Sequence, residues 1–239
     1  MSKRIAIMQP TYLPWMGYFD LMDSVDTFVI LDQVQFEKQS WQNRNRMRTA
    51  KELEWLSVPI LNTGHSGQLI SETQIASGQF VEKHLRSLKQ SYGRAKYFNA
   101  FFPELENCLR ESASAGRIAD LNIGLIRMLS KRLGIARALV LASELGVQGK
   151  RSALLVNICE KISGSVYLSP IGSADYLRED RSLFDGAGIQ VFLQNYQHPI
   201  YDQVYKPFLP YASVVDLIFN EGNRALEIIR AGRKEEHKL

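Results

Sequence analysis

Cysteine is scarce. The 239 residues hold two, Cys108 and Cys159, and they are not spaced as a C-x-x-C pair. A disulfide framework and a Cys-based zinc site are therefore excluded, and two reduced thiols within helical pattern suit a cytoplasmic protein. No window approaches the roughly eighteen uninterrupted apolar residues of a membrane span. The apolar stretch after the basic start M-S-K-R is too short for the h-region of a signal peptide. Charge of one sign is also in short supply. Lys and Arg outnumber Asp and Glu by 29 to 25, a net +4, which is too little to argue for a nucleic-acid partner but compatible with an anionic small molecule. There is no Walker loop, no G-x-G-x-x-G, no H-E-x-x-H, no D-x-D and no Cys/His pair at ligand spacing, so no metal site is expected. G-x-S-x-G is missing as well, which removes the usual mark of a serine hydrolase.

What is present is an ordinary globular balance, 45% hydrophobic and 23% charged, with enough apolar material for one large domain over 1–239. Short β-branched runs at 4–7, 27–32, 138–142, 165–168 and 189–193 are almost wholly apolar, as strands covered on both faces are. A further run at 55–60 ends near Pro59, which suggests an edge strand. Helical periodicity at 17–24, 118–133 and 150–162 alternates with these strands, so the expected fold is α/β, Rossmann-like, with a mainly parallel sheet. Residues 79–134 break the rhythm with three helical segments and no strand. They read as a helical insertion packed beside the sheet, with Phe80, Leu85, Leu88 and Tyr92 on one face and Pro103 at a helix start or kink.

Four segments carry the candidate chemistry. M-Q-P-T-Y-L-P-W-M-G-Y (8–18) follows the first strand, where an open α/β sheet puts its ligand. Gln9, Tyr12, Trp15 and Tyr18 would shape a pocket there, and Gly17 would let a ligand approach the helix N-terminus. A proline-stiffened connection with Trp15 in the core is the plain alternative. D-Q-V-Q-F-E-K-Q-S-W-Q-N-R-N-R (32–46) places Asp32 at a strand end. Behind it stand the amides of Gln33, Gln35, Gln42, Asn43 and Asn45, suited to sugar hydroxyls, with Arg44 and Arg46 for a carboxylate or phosphate and Trp41 as a stacking face. A solvated polar loop is the alternative. Y-L-S-P-I-G-S-A-D-Y-L (167–177) repeats strand, turn and helix start, offering Ser169, Gly172 and Tyr176, with helix capping by Ser173 as the simple reading. Q-H-P-I-Y-D-Q (197–203) adds Tyr201 and His198, whose ordinary pKa lies near neutrality, although a histidine before proline is commonly structural. His84 beside Lys83 reads as a solvated helix pair, and His65 and His237 belong to no motif.

The series Q-P-x-Y-L-P-W-x-G-Y-F (9–19), L-D-x-V-Q-F (31–36), W-Q-N-R-N (41–45) and K-H-L (83–85) resembles the WbqC-like family of bacterial proteins. So do Y-L-S-P-I-G-S-A-D-Y-L, H-P-x-Y-x-Q (198–203) and S-V-V-D-L-I-F-N-E-G (213–222), over nearly the whole chain. Pro170 and Ile171 depart from the S-G-x-G expected of that turn. The resemblance implies a role in O-antigen or other surface-polysaccharide biosynthesis, with glycine transfer to an amino sugar as the suggested activity. Its substrates would be a nucleotide-linked sugar and an amino acid, with ATP and Mg2+ as the candidate cofactor. Asp32 would then orient or deprotonate the amine, and Arg44 and Lys83 would hold carboxylate or phosphate. P-W-M-G-Y also occupies the place of the H-x-G-H signature of nucleotidyltransferase-like (HUP) folds, with Trp15 and Tyr18 where the histidines would stand. A nucleotidyltransferase acting on a small phosphorylated substrate, and a non-catalytic sugar- or nucleotide-binding protein, are the alternatives.

Overall fold

The computed structural model describes residues 2–61 and 67–239. His65 lies outside them. Strand β1 (Arg4–Met8) runs parallel to β2 (Thr27–Ile30) on one side and to β6 (Val166–Pro170) on the other. β2 then pairs with β5 (Ala138–Leu141), and β6 with β7 (Gln190–Gln194). The short β8 (His237–Lys238) closes that edge antiparallel, giving the order β5-β2-β1-β6-β7-β8. The chain thus winds outward from β1 one way and then restarts at β6 the other way, the doubly wound plan of a Rossmann-like sheet.

Both faces are covered, as the near-continuous apolar strands require. Alternate residues point to opposite layers: Ala6, Phe28 and Ile30 join one core, and Ile5, Ile7, Val29 and Tyr167 the other. Helix α1 (Met16–Asp23) lies in the first layer with α8 (Val214–Glu221) and α9 (Ala225–Ala231). Helix α5 (Arg151–Lys161), with the short α6 (Ala174–Glu179) and α7 (Arg181–Gly186), fills the second.

The crossover from β2 to β5 carries what the strand pattern conceals. The polar segment 32–46, for which a solvated hairpin loop is the alternative reading, runs into strand β3 (Arg44–Arg48), paired antiparallel with β4 (Leu53–Ser57) in a separate hairpin. The run expected at 55–60 is therefore the second arm of that hairpin and not a member of the main sheet. Helices α2 (Phe80–Tyr92), α3 (Phe98–Ser114) and α4 (Ile118–Leu133) follow in succession. Phe80, Leu85, Leu88 and Tyr92 are all buried, and their core is continuous with that of α1. Pro103 sits inside α3 and not at its start.

Polar anchors hold this layer. Asp20 and Asp23 on α1 meet Arg230 and Arg233 at 2.7–2.8 Å, and the paired arginines hold the Asp23 carboxyl down to about 2. His84, expected on a solvated face, is buried on α2 with its Nδ1 accepting from the Tyr12 hydroxyl at 2.8 Å. Burial lowers its pKa to about 4, while the Ser57 carbonyl acts against that shift. A neutral ring with its proton on the nitrogen facing the Ser57 carbonyl leaves Nδ1 to accept from Tyr12, whereas protonation would reverse that bond.

This pair predicts an acid sensitivity. The unfolded chain binds a proton on His84 near pH 6.5 that the folded chain refuses until about pH 4. Stability therefore falls as pH drops through that window, by on the order of 3 kcal/mol at 1.36 kcal/mol per pKa unit, and the loss is complete below it. Asp23 adds its own loss only below about pH 4, as the pH falls towards its depressed pKa of about 2. Urea unfolding of the parent and of His84→Gln, compared at pH 7, 5.5 and 4, should show the two stabilities converging as pH falls. Parallel curves would refute the assignment.

Candidate functional site

The loop after β1 crosses the carboxyl edge of the sheet where the strand order reverses, between β1 and β6. The Pro14 carbonyl accepts from the Val214 N–H that opens α8, at 2.9 Å, and side-chain amides collect several of the others. Asn45 Nδ2 donates to the carbonyls of Tyr12 (3.1 Å) and Leu13 (2.8 Å). Asn122, buried on α4, donates to those of Pro10 (3.0 Å) and Gln42 (2.7 Å). Gln42 Nε2 donates to Gln9 Oε1 at 2.8 Å, and its own oxygen accepts from the Glu37 N–H at 2.9 Å. The clamp holds Leu13 at φ +42, a conformation that costs a branched side chain on the order of 1–2 kcal/mol.

Trp15 precedes the first turn of α1 and lays its indole across Gly17. A Cβ there would stand 2.3 Å from the ring. The glycine thus makes room for Trp15 and not for a ligand, and the indole roofs the helix N-terminus. Tyr196 meets the same indole edge-on at 5.6 Å and His198 lies parallel to it at 6.3 Å.

Two hollows flank this loop and share Met8, Thr11 and Trp41. The first, about 300 Å³, lies across the β1–β6 switch with Ile7, Leu31, Leu155 and Tyr167 as its apolar lining. Gln9, Thr11, Ser40, Gln42, Ser173 and Tyr176 provide its polar groups. Glu37 is its charged residue, and no Lys or Arg lines it among the described residues. The second, about 310 Å³, runs between the loop and hairpin, walled by Trp15, Tyr18, Trp41 and Tyr211 with Asn45 and Arg46.

Several expected residues are brought together here: Gln9, Trp15, Tyr18, Trp41, Asn45 and Tyr176 all line one lobe or the other. Others serve the fold. Both oxygens of Asp32 are committed to Ser143, accepting its N–H at 3.0 Å and its hydroxyl at 2.6 Å, so it is not a free base. The Tyr12 hydroxyl is buried on His84, and burial raises its pKa far above the usual range. Asn43 donates to the Val58 carbonyl at 3.1 Å, and the buried Ser169 hydroxyl to the Tyr167 hydroxyl at 3.2 Å. Tyr201 donates to the fully buried Asp216. Arg44 stacks 4.2 Å from the Trp55 ring and lines neither lobe. Lys83, Gln35 and Gly172 are exposed and outside both linings.

His198 stands behind Trp15, with Nδ1–H donating to the Pro199 carbonyl at 2.9 Å and burial lowering its pKa. Its Nε2 is buried and has no partner among the described residues.

Missed by the motif reading were Glu37, Asn122 and Tyr211, whereas Arg46, read with Arg44 as a grip for carboxylate or phosphate, lines the second lobe. Asn122 had a signal: an amide in the apolar stripe L-N-I-G-L-I must find partners when buried. An ATP–Mg2+ complex finds no ready cradle at either expected turn. The α1 N-terminus is covered by Trp15, and the lobe at the β6 turn has no cationic side chain. Among the described residues no three His, Cys, Asp or Glu converge as a cation site.

The clamp and the glycine each predict a defect. Asn45→Ala strands two buried carbonyls and should cost on the order of 2–4 kcal/mol at about 1–2 kcal/mol each. Asn45→Asp, turning an acceptor on both, should cost more, and equal stability of the two in thermal melts would refute the clamp. Gly17→Ala would raise stability by about 1 kcal/mol if helix propensity alone decided. The contact with Trp15 predicts a lower melting temperature and altered indole fluorescence instead.

Known proteins agree with the motifs. An uncharacterized protein of Mycobacterium tuberculosis, Rv1507c, is 32% identical over 233 residues, covering 97% of this chain and 100% of that protein. No solved structure matches the chain significantly. The model of the WbqC-like protein family matches residues 9–228. With its distinctive Q-P-x-Y-L-P-W-x-G-Y-F and W-Q-N-R-N segments forming the clamped loop and the hairpin over it, this chain belongs to the WbqC-like protein family.

Proposed function

We propose that this protein is a cytoplasmic enzyme of surface-polysaccharide biosynthesis that transfers an aminoacyl group, with glycine as the simplest case, to the amine of a nucleotide-linked amino sugar. The observation that carries this reading is the pair of adjoining lobes at the switch point, chemically unlike yet sharing Met8, Thr11 and Trp41. A group transfer needs two ligands, or two ends of a large one, held side by side in that way. The first lobe suits the sugar: hydroxyl and amide groups over an apolar floor, with one carboxylate. Glu37 is the ionisable group of that lining, and its carboxylate has no ion-pair partner among the described residues. It is placed to hold the sugar ammonium and to take the proton lost as the amine attacks the carbonyl of an activated glycyl donor, a thioester or acyl phosphate, whose thiolate or phosphate leaves as the amide forms.

A non-catalytic sugar-binding protein is the second reading, favoured by the commitment of Asp32 to Ser143. A nucleotidyltransferase fits less well, because its phosphates would meet the roofed helix and the cation-free lobe.

The full chain incubated with a UDP-linked amino sugar and an activated glycyl donor such as a glycyl thioester, with free glycine and ATP as a parallel donor condition, should give a product heavier by one glycyl residue in mass spectrometry. Glu37→Gln should slow its formation on the order of a hundredfold or more, the usual share of a positioned proton acceptor. Tight binding of the sugar nucleotide with no product under any donor condition would sink the transferase and leave the binder.

A further inference from the structure

The two lobes differ most in charge, and the difference sets which end of a ligand each can take. The first has Glu37 and no cation. The second has Arg46, half-buried on β3. Its neighbour Arg44 also has a buried Nε without a partner among the described residues, but it stacks on Trp55 at 4.2 Å and lines neither lobe. Arg46 lines the second lobe. It stands 5.6 Å from both Trp41 and Trp55, close to the limit of about 6 Å for a useful cation–π contact. Of its five N–H donors, one makes a long 3.5 Å bond to the Tyr211 carbonyl, and Nε has no partner. No carboxylate lies within ion-pair distance of it among the described residues.

The walls around it are flat. Trp41 is 47% and Tyr211 50% exposed, large aromatic faces left open beside a guanidinium with donors to spare. Trp15 lies behind them, 5.8 Å from the Tyr211 ring. Flat π-faces beside an arginine suit a heteroaromatic base joined to phosphate, since bases stack on aromatic side chains and phosphate accepts the guanidinium fork.

We infer that the second lobe takes the nucleoside-phosphate end of the ligand, phosphate on Arg46 and base against Trp41 and Tyr211, with the sugar passing Met8 and Thr11 into the first lobe. This rests on the sugar-nucleotide reading above and orients that ligand. It also moves the phosphates away from the turns after β1 and β6 and onto the hairpin. The amine then lies at Glu37, in the lobe where a phosphate would be repelled.

The test is calorimetry on the full chain with UDP, uridine, glucosamine and glycine as separate probes. UDP affinity should fall tenfold or more in Arg46→Met, recover in part in Arg46→Lys, and be unchanged in Arg44→Met. Uridine, lacking phosphate, should bind Arg46→Met and the parent alike. Glucosamine should be insensitive to Arg46→Met and weakened by Glu37→Gln. Equal UDP affinity in the parent and Arg46→Met overturns the placement, as does loss through Arg44→Met. Glycine binding that depends on Arg46 while UDP binding does not would make the lobe a carboxylate subsite and overturn it too. UDP bound through Arg46 with no glycyl product leaves the placement standing and removes the transferase. A parent that binds no UDP overturns both.

Discussion

The donation of the Asn45 amide to two consecutive carbonyls, Tyr12 and Leu13, is the contact on which the rest of the binding edge depends. A loop with prolines at 10 and 14 has few N–H groups of its own to offer and many carbonyls to satisfy. Asn45 satisfies two of them, and in doing so fixes Leu13 at positive φ. Trp15 is thereby aimed across Gly17, and the Trp15 strand bridge to Ser213 is set. The hairpin that supplies Asn45 is tied to the loop by a second bond, from the Tyr12 N–H to the Trp41 carbonyl at 2.9 Å. Loop and hairpin are one unit joined from both sides. Neither lobe would keep its shape without that joint.

The unit is seated on the helical layer by two further side chains. Asn122 reaches from α4 to both Pro10 and Gln42, and Tyr12 reaches to His84 on α2. Each is buried, so each would be a liability if left unmatched. The helices after β4 thus have a local duty besides filling out the core: they hold the loop from behind while the hairpin holds it from above.

Much of this architecture could be read from the chain. The apolar strands 4–8, 27–30 and 166–170 announce a sheet covered on both faces, and the loops that follow the first and third fall at the switch point as α/β topology requires. What could not be read was where the polar groups point. R-N-R-M-R alternates cationic side chains with Asn45 and Met47, a strand pattern in which the buried face holds an amide and a thioether instead of a branched apolar pair. Composition sees only charge there. The amides of W-Q-N-R-N looked like a vocabulary for a sugar, yet Gln42, Asn43 and Asn45 all address this chain's own polar groups. An amide makes the same bonds to a ligand hydroxyl and to a loop carbonyl, so sequence cannot separate the two uses. Asp32 is ambiguous in the same way: a carboxylate at a strand end is equally good at gripping Ser143, as it does here.

Doubly wound folds commonly hold anions on a glycine-rich turn and an open helix N-terminus, where free N–H groups and the helix dipole do the work. Here that position is covered by an indole. The cost of covering it is the loss of an anion site, and the gain is a flat aromatic wall beside the switch point. Charge recognition then has to come from a side chain, and the β1 and β6 turns supply no cation to the first lobe. The hairpin places one in the second lobe, Arg46. On the placement inferred for the nucleoside phosphate, an element inserted between β2 and β5, outside the main sheet, would take over what the first turn of helix usually provides. Motif reasoning that looks for the phosphate at that turn finds Trp15 instead, and the substitution of an indole and an arginine for a glycine turn is the feature that sets this binding edge apart.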